Sequence, residues 1–188
     1  MKLNKTTIAA FSLLILISAL YRAVPGHIWA FTPQIAMAVF GGSVIRDRKL
    51  SFALPLLSLF ISDLIYQFFY MNGIGTIPGF YEGQLINYLL FTSLTIVGFR
   101  VRERNVLSIL AGAVAAPTLF FLVSNFFVWA GGGGLKRPFT FSGLVQCYND
   151  ALPFFWNSLY GTLFFSAVFF GGYYLVRRYI LKTEGAVG

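Results

Sequence analysis

The stretch that decides the fold runs PTLFFLVSNFFVWA (Pro117 to Ala130), GGGGLKRPFTFSGLVQCYND (Gly131 to Asp150) and ALPFFWNSLYGTLFFSAVFFGG (Ala151 to Gly172). Two apolar segments flank a glycine-rich connection, and each carries an amide near the end that faces that connection. Phe121, Asn125 and Trp129 fall at i, i+4, i+8 and share one helical face, and Asn157, Gly161 and Phe165 do the same on the second segment. An amide in hydrocarbon needs a hydrogen-bond partner, so the spacing predicts that these two faces look at each other or at a shared cavity.

The rest of the chain has the same character. Of 188 residues, 57% are hydrophobic and 11% charged, outside the range of soluble globular domains. Apolar runs recur between short charged or Gly/Pro-containing segments, and a bilayer-spanning helix needs about 20 residues. The expected architecture is an all-α membrane protein, one domain over 1–188, with six transmembrane helices at about 6–21, 32–45, 51–70, 84–99, 106–129 and 151–176.

The formal charge of +8 does not form a basic patch with interleaved aromatics, so nucleic acid is not an expected partner. The basic residues alternate by helix end. Lys2, Lys5, Arg46, Arg48, Lys49, Arg100, Arg102, Arg104, Arg177, Arg178 and Lys182 fall on one side, against Arg22, Lys136 and Arg137 on the other. The positive-inside rule puts the larger set and both termini in the cytoplasm, at the cell's inner membrane. The lysine-then-apolar start reads as the first span, because no small-x-small cleavage pattern follows it.

Along the chain, His27 in the Pro25-Gly26 turn reads as a solvated loop residue. Thr32-Pro33 opens the second helix as a hydroxyl cap followed by proline, and Gly41-Gly42 permits close approach of a neighbour. Asp63 falls about twelve residues into the third helix, roughly 18 Å from its start at about 1.5 Å per residue. A carboxylate at that depth must be paired, protonated or in a wet cavity, and a hydrogen-bonded helix clamp, a ligand contact and proton coupling all meet that need. Asn87 lies near the outer end of the fourth helix. Gln67, Asn87, Asn125, Asn157 and Asp63 together predict a polar cup opening outward above inner halves rich in Ala and Gly, the layout of a protein that captures a solute; polar ties between helices are the alternative.

Catalysis is not expected. The six acids are scattered, the single histidine has no nucleophile beside it, Cys147 is the only cysteine, and the four-glycine run lacks the Lys-Ser/Thr of a phosphate-binding loop. No metal ligand set or cofactor motif is present in the sequence.

Trp29 to Gly42 (WAFTPQIAMAVFGG), Leu54 to Leu64 (LPLLSLFISDL), Ser124 to Trp129 (SNFFVW), Cys147-Tyr148, and Ala151 to Gly161 (ALPFFWNSLYG) resemble a bacterial family of uncharacterised small membrane proteins. That family is similar to the substrate-binding S components of energy-coupling-factor (ECF) vitamin transporters. The resemblance implies six helices, a vitamin-like solute held near the outer ends of helices 4 to 6, and a transmembrane coupling protein with ATPases as partner. On this reading Asn125, Trp129, Tyr148 and Asn157 form the wall of a substrate site, with Asn87 and Asp63 beside it. Membrane lipids are the surrounding medium. The alternative is a structural or accessory subunit of a larger membrane complex, in which the 22 Phe and 10 Tyr supply packing surface.

Overall fold

The computed structural model describes residues 5–24, 26 and 28–179. Pro25, His27, Lys2 and Lys182, on which parts of the loop and charge reading rest, lie outside the described residues. All regular structure among the described residues is helical: α1 (Lys5–Ala23), α2 (Gln34–Val44), α3 (Arg48–Met71), α4 (Gln84–Ser93), the single turn α5 (Thr95–Gly98), α6 (Val106–Ala130) and α7 (Phe141–Tyr179).

Local chemistry sets several of these boundaries. The Asp47 side chain accepts from the Lys49 and Leu50 amides at 2.9 and 3.2 Å and starts α3, so the basic Arg46–Lys49 stretch is half turn and half first helical turn. Asn105 Oδ1 takes the Ser108 amide at 2.9 Å and starts α6 in the same way. Pro33 itself occupies the residue before α2, and no side chain caps that helix. The expected single helix over 84–99 is interrupted at Leu94. There the bonds tighten to the i→i−3 pattern, Leu94 to Phe91, Val97 to Leu94 and Arg100 to Val97.

The centre of the fold is α2. Ten of its eleven residues are buried, and it packs against α3, α5 and α7 with further contacts to α4 and α6. The Phe40 ring meets Phe169, Phe170 and Tyr173 at centroid distances of 5.9, 5.2 and 5.8 Å. On its other side α2 touches α5 backbone to backbone. A Cβ on Gly42 would stand 2.2 Å from the Thr95 carbonyl oxygen, and one on Gly98 would stand 2.3 Å from that of Val39. The close approach expected of Gly41-Gly42 is made on two sides: Gly42 meets the tightened turn that follows Leu94, and a Cβ on Gly41 would stand 3.1 Å from the Ser51 carbonyl oxygen of α3.

Three helices, α3, α6 and α7, are long and apolar enough to cross a membrane. At about 1.5 Å per residue α2 reaches only about 16 Å, roughly half of a hydrocarbon core of about 30 Å. It needs no lipid contact, because other helices enclose it. The flanks of the longer helices carry large exposed apolar side chains, among them Leu57, Phe60, Leu64 and Phe68 on α3 and Leu107, Leu110 and Val114 on α6. Apolar surface on this scale is a liability in water and a match to hydrocarbon.

The largest departure from expectation is in α7. Residues 131–150 read as a flexible connection, yet the helix begins at Phe141, ten residues before the expected start at 151, and runs for 39 residues with Pro153 inside it. Pro153 removes one N–H from the ladder without ending the helix. The segment before Pro153 is held by α6: the Tyr148 hydroxyl donates to the Leu122 carbonyl at 2.8 Å, and the Cys147 thiol lies 3.7 Å from the Asn125 carbonyl oxygen that accepts from it.

Candidate functional site

Two polar constellations occupy the end of the bundle where α1, α3 and α6 finish. The first is built on Asp63. On α3, Ser58 and Ser62 stand one turn apart on the buried face with Asp63 beside them, and α1 presents Ser18 and Arg22 at the same spacing. Nη1 of Arg22 donates to both Ser62 Oγ and Asp63 Oδ1. Gln84 Nε2 and the Tyr88 hydroxyl each donate to Asp63 Oδ2 at 2.6 Å. The Tyr66 hydroxyl donates to the Arg22 carbonyl, and its ring lies 5.4 Å from the guanidinium carbon. Both carboxylate oxygens are therefore engaged, in a side chain only 2% exposed.

The same network fastens the loop over residues 72–83. Gln84 Nε2 also donates to the Gly79 carbonyl at 2.9 Å, while Gln67 Oε1 accepts from the Gly79 amide at 3.1 Å. Gly79 lies so close to α3 that a Cβ there would stand 1.9 Å from the Asp63 carbonyl oxygen. One turn deeper, Gln34 is wholly buried at the start of α2. Its Nε2 is 3.5 Å from both Ser18 O and Ser58 Oγ, and its Oε1 has no partner among the described residues.

The second constellation is a cavity of about 250 Å³ bounded by α6, α7, α4 and the segment entering α2. Pro117, Phe120, Phe121, Ser124 and Asn125 line it from α6; Ala151, Phe154, Phe155 and Ser158 from α7; Ala30, Thr32 and Ile35 from the α2 side; and Phe91 from α4. Its aromatic walls are held by ring contacts, Phe91 to Phe120 at 4.4 Å and Phe121 to Phe155 at 4.9 Å. No lining side chain is ionisable. The polar groups are the Asn125 carboxamide and the hydroxyls of Ser124, Ser158 and Thr32. Asn125 Nδ2 gives one N–H to the Phe121 carbonyl at 2.8 Å, and a carboxamide has a second N–H and an acceptor oxygen besides.

Of the residues expected at a solute site, only Asn125 lines this cavity. Asp63 belongs to the Arg22 network. Asn87 Nδ2 donates to the Tyr81 hydroxyl at 2.8 Å. Trp129 Nε1 donates to the Pro138 carbonyl at 2.9 Å, closing the α6–α7 connection. Tyr148 is engaged with Leu122 as described. Asn157 Nδ2 donates to the Trp29 carbonyl at 3.1 Å, and Gly161, one turn on, packs against Phe31 and Thr32. The Asn157 face of α7 thus turns to residues 29–32, not to the Asn125 face of α6.

The face of α7 that does meet α6 carries Cys147, Ala151, Phe155 and Ser158, at i, i+4, i+8 and i+11. Of that stripe only Cys147 falls before the start expected at 151, and it joins the face because the helix begins at Phe141. At the mouth of the α6–α7 connection, Arg137 and Asp150 form a two-pronged pair at 2.8 and 2.9 Å, and the carboxylate raises the Arg137 pKa further above its usual value.

Against known proteins, the match is to a family model. It is described as a family of unknown function, DUF6580, and it covers residues 2–183. No curated protein and no solved structure matches the chain. The chain belongs to the family of unknown function DUF6580.

Proposed function

We propose that this protein is a multi-pass membrane subunit that captures a small solute from outside the cell for uptake, in the manner of a transporter's substrate-binding component. The observation that supports the reading is the cavity between α6 and α7. Recognition sites for small molecules are concave and mostly apolar, with a few placed polar groups that fix orientation, and this cavity has that composition. Its depth also suits outward capture. Asn125 stands five residues and Pro117 thirteen before the end of α6, so at about 1.5 Å per residue it lies roughly 8 to 20 Å below that end.

The positive-inside rule puts the end rich in Arg and Lys in the cytoplasm. That end gathers the α2–α3 turn, the α5–α6 connection and the end of α7: Ser43 Oγ donates to the Val101 carbonyl at 2.9 Å, Arg48 lies 5.1 Å from the Phe99 ring, and Arg177 pairs with Glu103 at 2.7 Å. The residues that line the cavity lie toward the opposite end of the same bundle. On this reading the resemblance to S components adds a coupling protein and ATPases that dock from the cytoplasm. Native mass spectrometry of the gently solubilised protein from its own host tests the proposal. A retained small molecule, absent from a variant whose cavity is filled, is the expected result; an empty chain in a large stoichiometric assembly would overturn it.

A second reading, an accessory subunit of a larger membrane complex, is favoured by one feature. Phe139 and Phe141, beside the connection between α6 and α7, are 68% and 82% exposed. A partner subunit would cover them.

A further inference from the structure

We infer that the solute is electrically neutral, with a ring system about the size of a bicycle and an amide-like edge that pairs with Asn125. The inference rests on the solute-binding reading above and narrows its ligand class. Three observations carry it.

The first is charge. No side chain lining the cavity can ionise. Asp150 precedes the lining residue Ala151, but its carboxylate is held in two hydrogen bonds by Arg137. The buried carboxylate of the same end, Asp63, has both oxygens occupied by Arg22, Gln84 and Tyr88. A carboxylate or ammonium entering this apolar space would leave its hydration behind and meet no counter-charge.

The second is shape. Phe91, Phe120, Phe121, Phe154 and Phe155 line the cavity. An engineered cavity of about 150 Å³ lined by apolar side chains holds benzene, so the about 250 Å³ here accommodates a fused pair of rings.

The third is the hydrogen-bonding edge. The Asn125 carboxamide satisfies one N–H on its own helix, and its side chain has no other hydrogen bond among the described residues. Its second N–H and its Oδ1 remain as a donor and an acceptor for a ligand. A lactam, imide or primary amide has the complementary edge, whereas a hydrocarbon would leave both atoms without partners.

The test uses the full chain in lipid nanodiscs and four probes on one bicyclic frame: 2-naphthamide, 2-naphthoate and 2-naphthamidine, which are neutral, anionic and cationic, and naphthalene, which has no polar edge. Saturable binding is read by calorimetric titration against empty nanodiscs and against Ala151→Trp, which fills the cavity. Asn125→Leu, similar in volume, provides a second variant whose folding does not depend on accommodating a large ring. The expected result is saturable 2-naphthamide binding at least tenfold tighter than either charged probe, lost in Ala151→Trp and weakened about tenfold in Asn125→Leu, with naphthalene binding unchanged in Asn125→Leu. Binding of a charged probe as tight as or tighter than 2-naphthamide, and lost in Ala151→Trp, overturns the neutral-ligand inference while leaving solute capture standing. Absence of any saturable component, or binding indifferent to Ala151→Trp, overturns both.

Discussion

Arg22 and Asp63, forty-one residues apart, join the end of the first helix to the third through a guanidinium–carboxylate contact that also gathers Ser62. Gln84 and Tyr88 add the start of α4 to the same carboxylate. Three helices and the loop over 72–83 are thereby tied at one buried side chain, which makes this pair the point at which that end of the bundle is most easily undone.

Removing one member of a buried pair leaves the other charge without its partner, a loss of about 3 to 5 kcal/mol where both are dry. The Arg22 side chain is 21% exposed, so solvent screens part of the effect and about 2 to 3 kcal/mol is expected for Arg22→Leu. The double variant Arg22→Leu/Asp63→Leu should be less destabilised than the two single losses added. Unfolding of all three in detergent measures this, and additive losses would mean that the pair is not a coupled unit.

The backbone contact between α2 and α5 leaves no side chain that could move aside. Gly42→Ala and Gly98→Ala should each cost about 1 to 3 kcal/mol or more, as overpacking does in a close-packed core. Gly171→Ala, with nothing within 4 Å of the added methyl, should leave the melting temperature unchanged or slightly higher. Equal tolerance at all three positions would contradict the contact.

Asn125 and Asn157 are expected to separate. Asn157→Ala releases the Trp29 carbonyl and should lower stability by about 1 kcal/mol with ligand affinity retained. Asn125→Leu should impair ligand binding more than it affects melting. Paired melting and binding curves decide it, and loss of binding in Asn157→Ala at unchanged stability would move the site toward residues 29–32.

Cys147 is buried and bonded to the Asn125 carbonyl, so its thiol reports whether α7 stays on α6 through its early turns. Maleimide labelling should be slow in the folded protein and complete after denaturation. Rapid labelling of the folded chain would show that residues 141–150 do not remain docked.

Some of this was legible in the residues one by one. The apolar character, the helical class, the starts of α4 and α6, and the need of Asp63 for a partner, a proton or a wet cavity all follow from composition, periodicity and the cost of an unpaired carboxylate in hydrocarbon. The identity of that partner did not follow, because Arg22 reads as a flanking loop charge until α1 is placed against α3. The face that Asn157 presents did not follow either. A face carrying Asn157, Gly161 and Phe165 fits a cavity wall as well as a seat for residues 29–32, and helical spacing is the same for both.

By itself, the sequence determined what each segment is: helices too apolar for water, basic residues gathered at alternate helix ends, and amides that must find partners. Those are local quantities, set by the transfer energies and periodicities of neighbouring residues. Only the tertiary structure decided which segments meet. It enclosed the short α2 instead of exposing it, extended α7 back to Phe141 along α6, committed Asp63 to Arg22, Gln84 and Tyr88, and left Asn125 facing a cavity. Each of those outcomes depends on contacts between residues distant in the chain, where several pairings satisfy the same local rules and packing alone selects one.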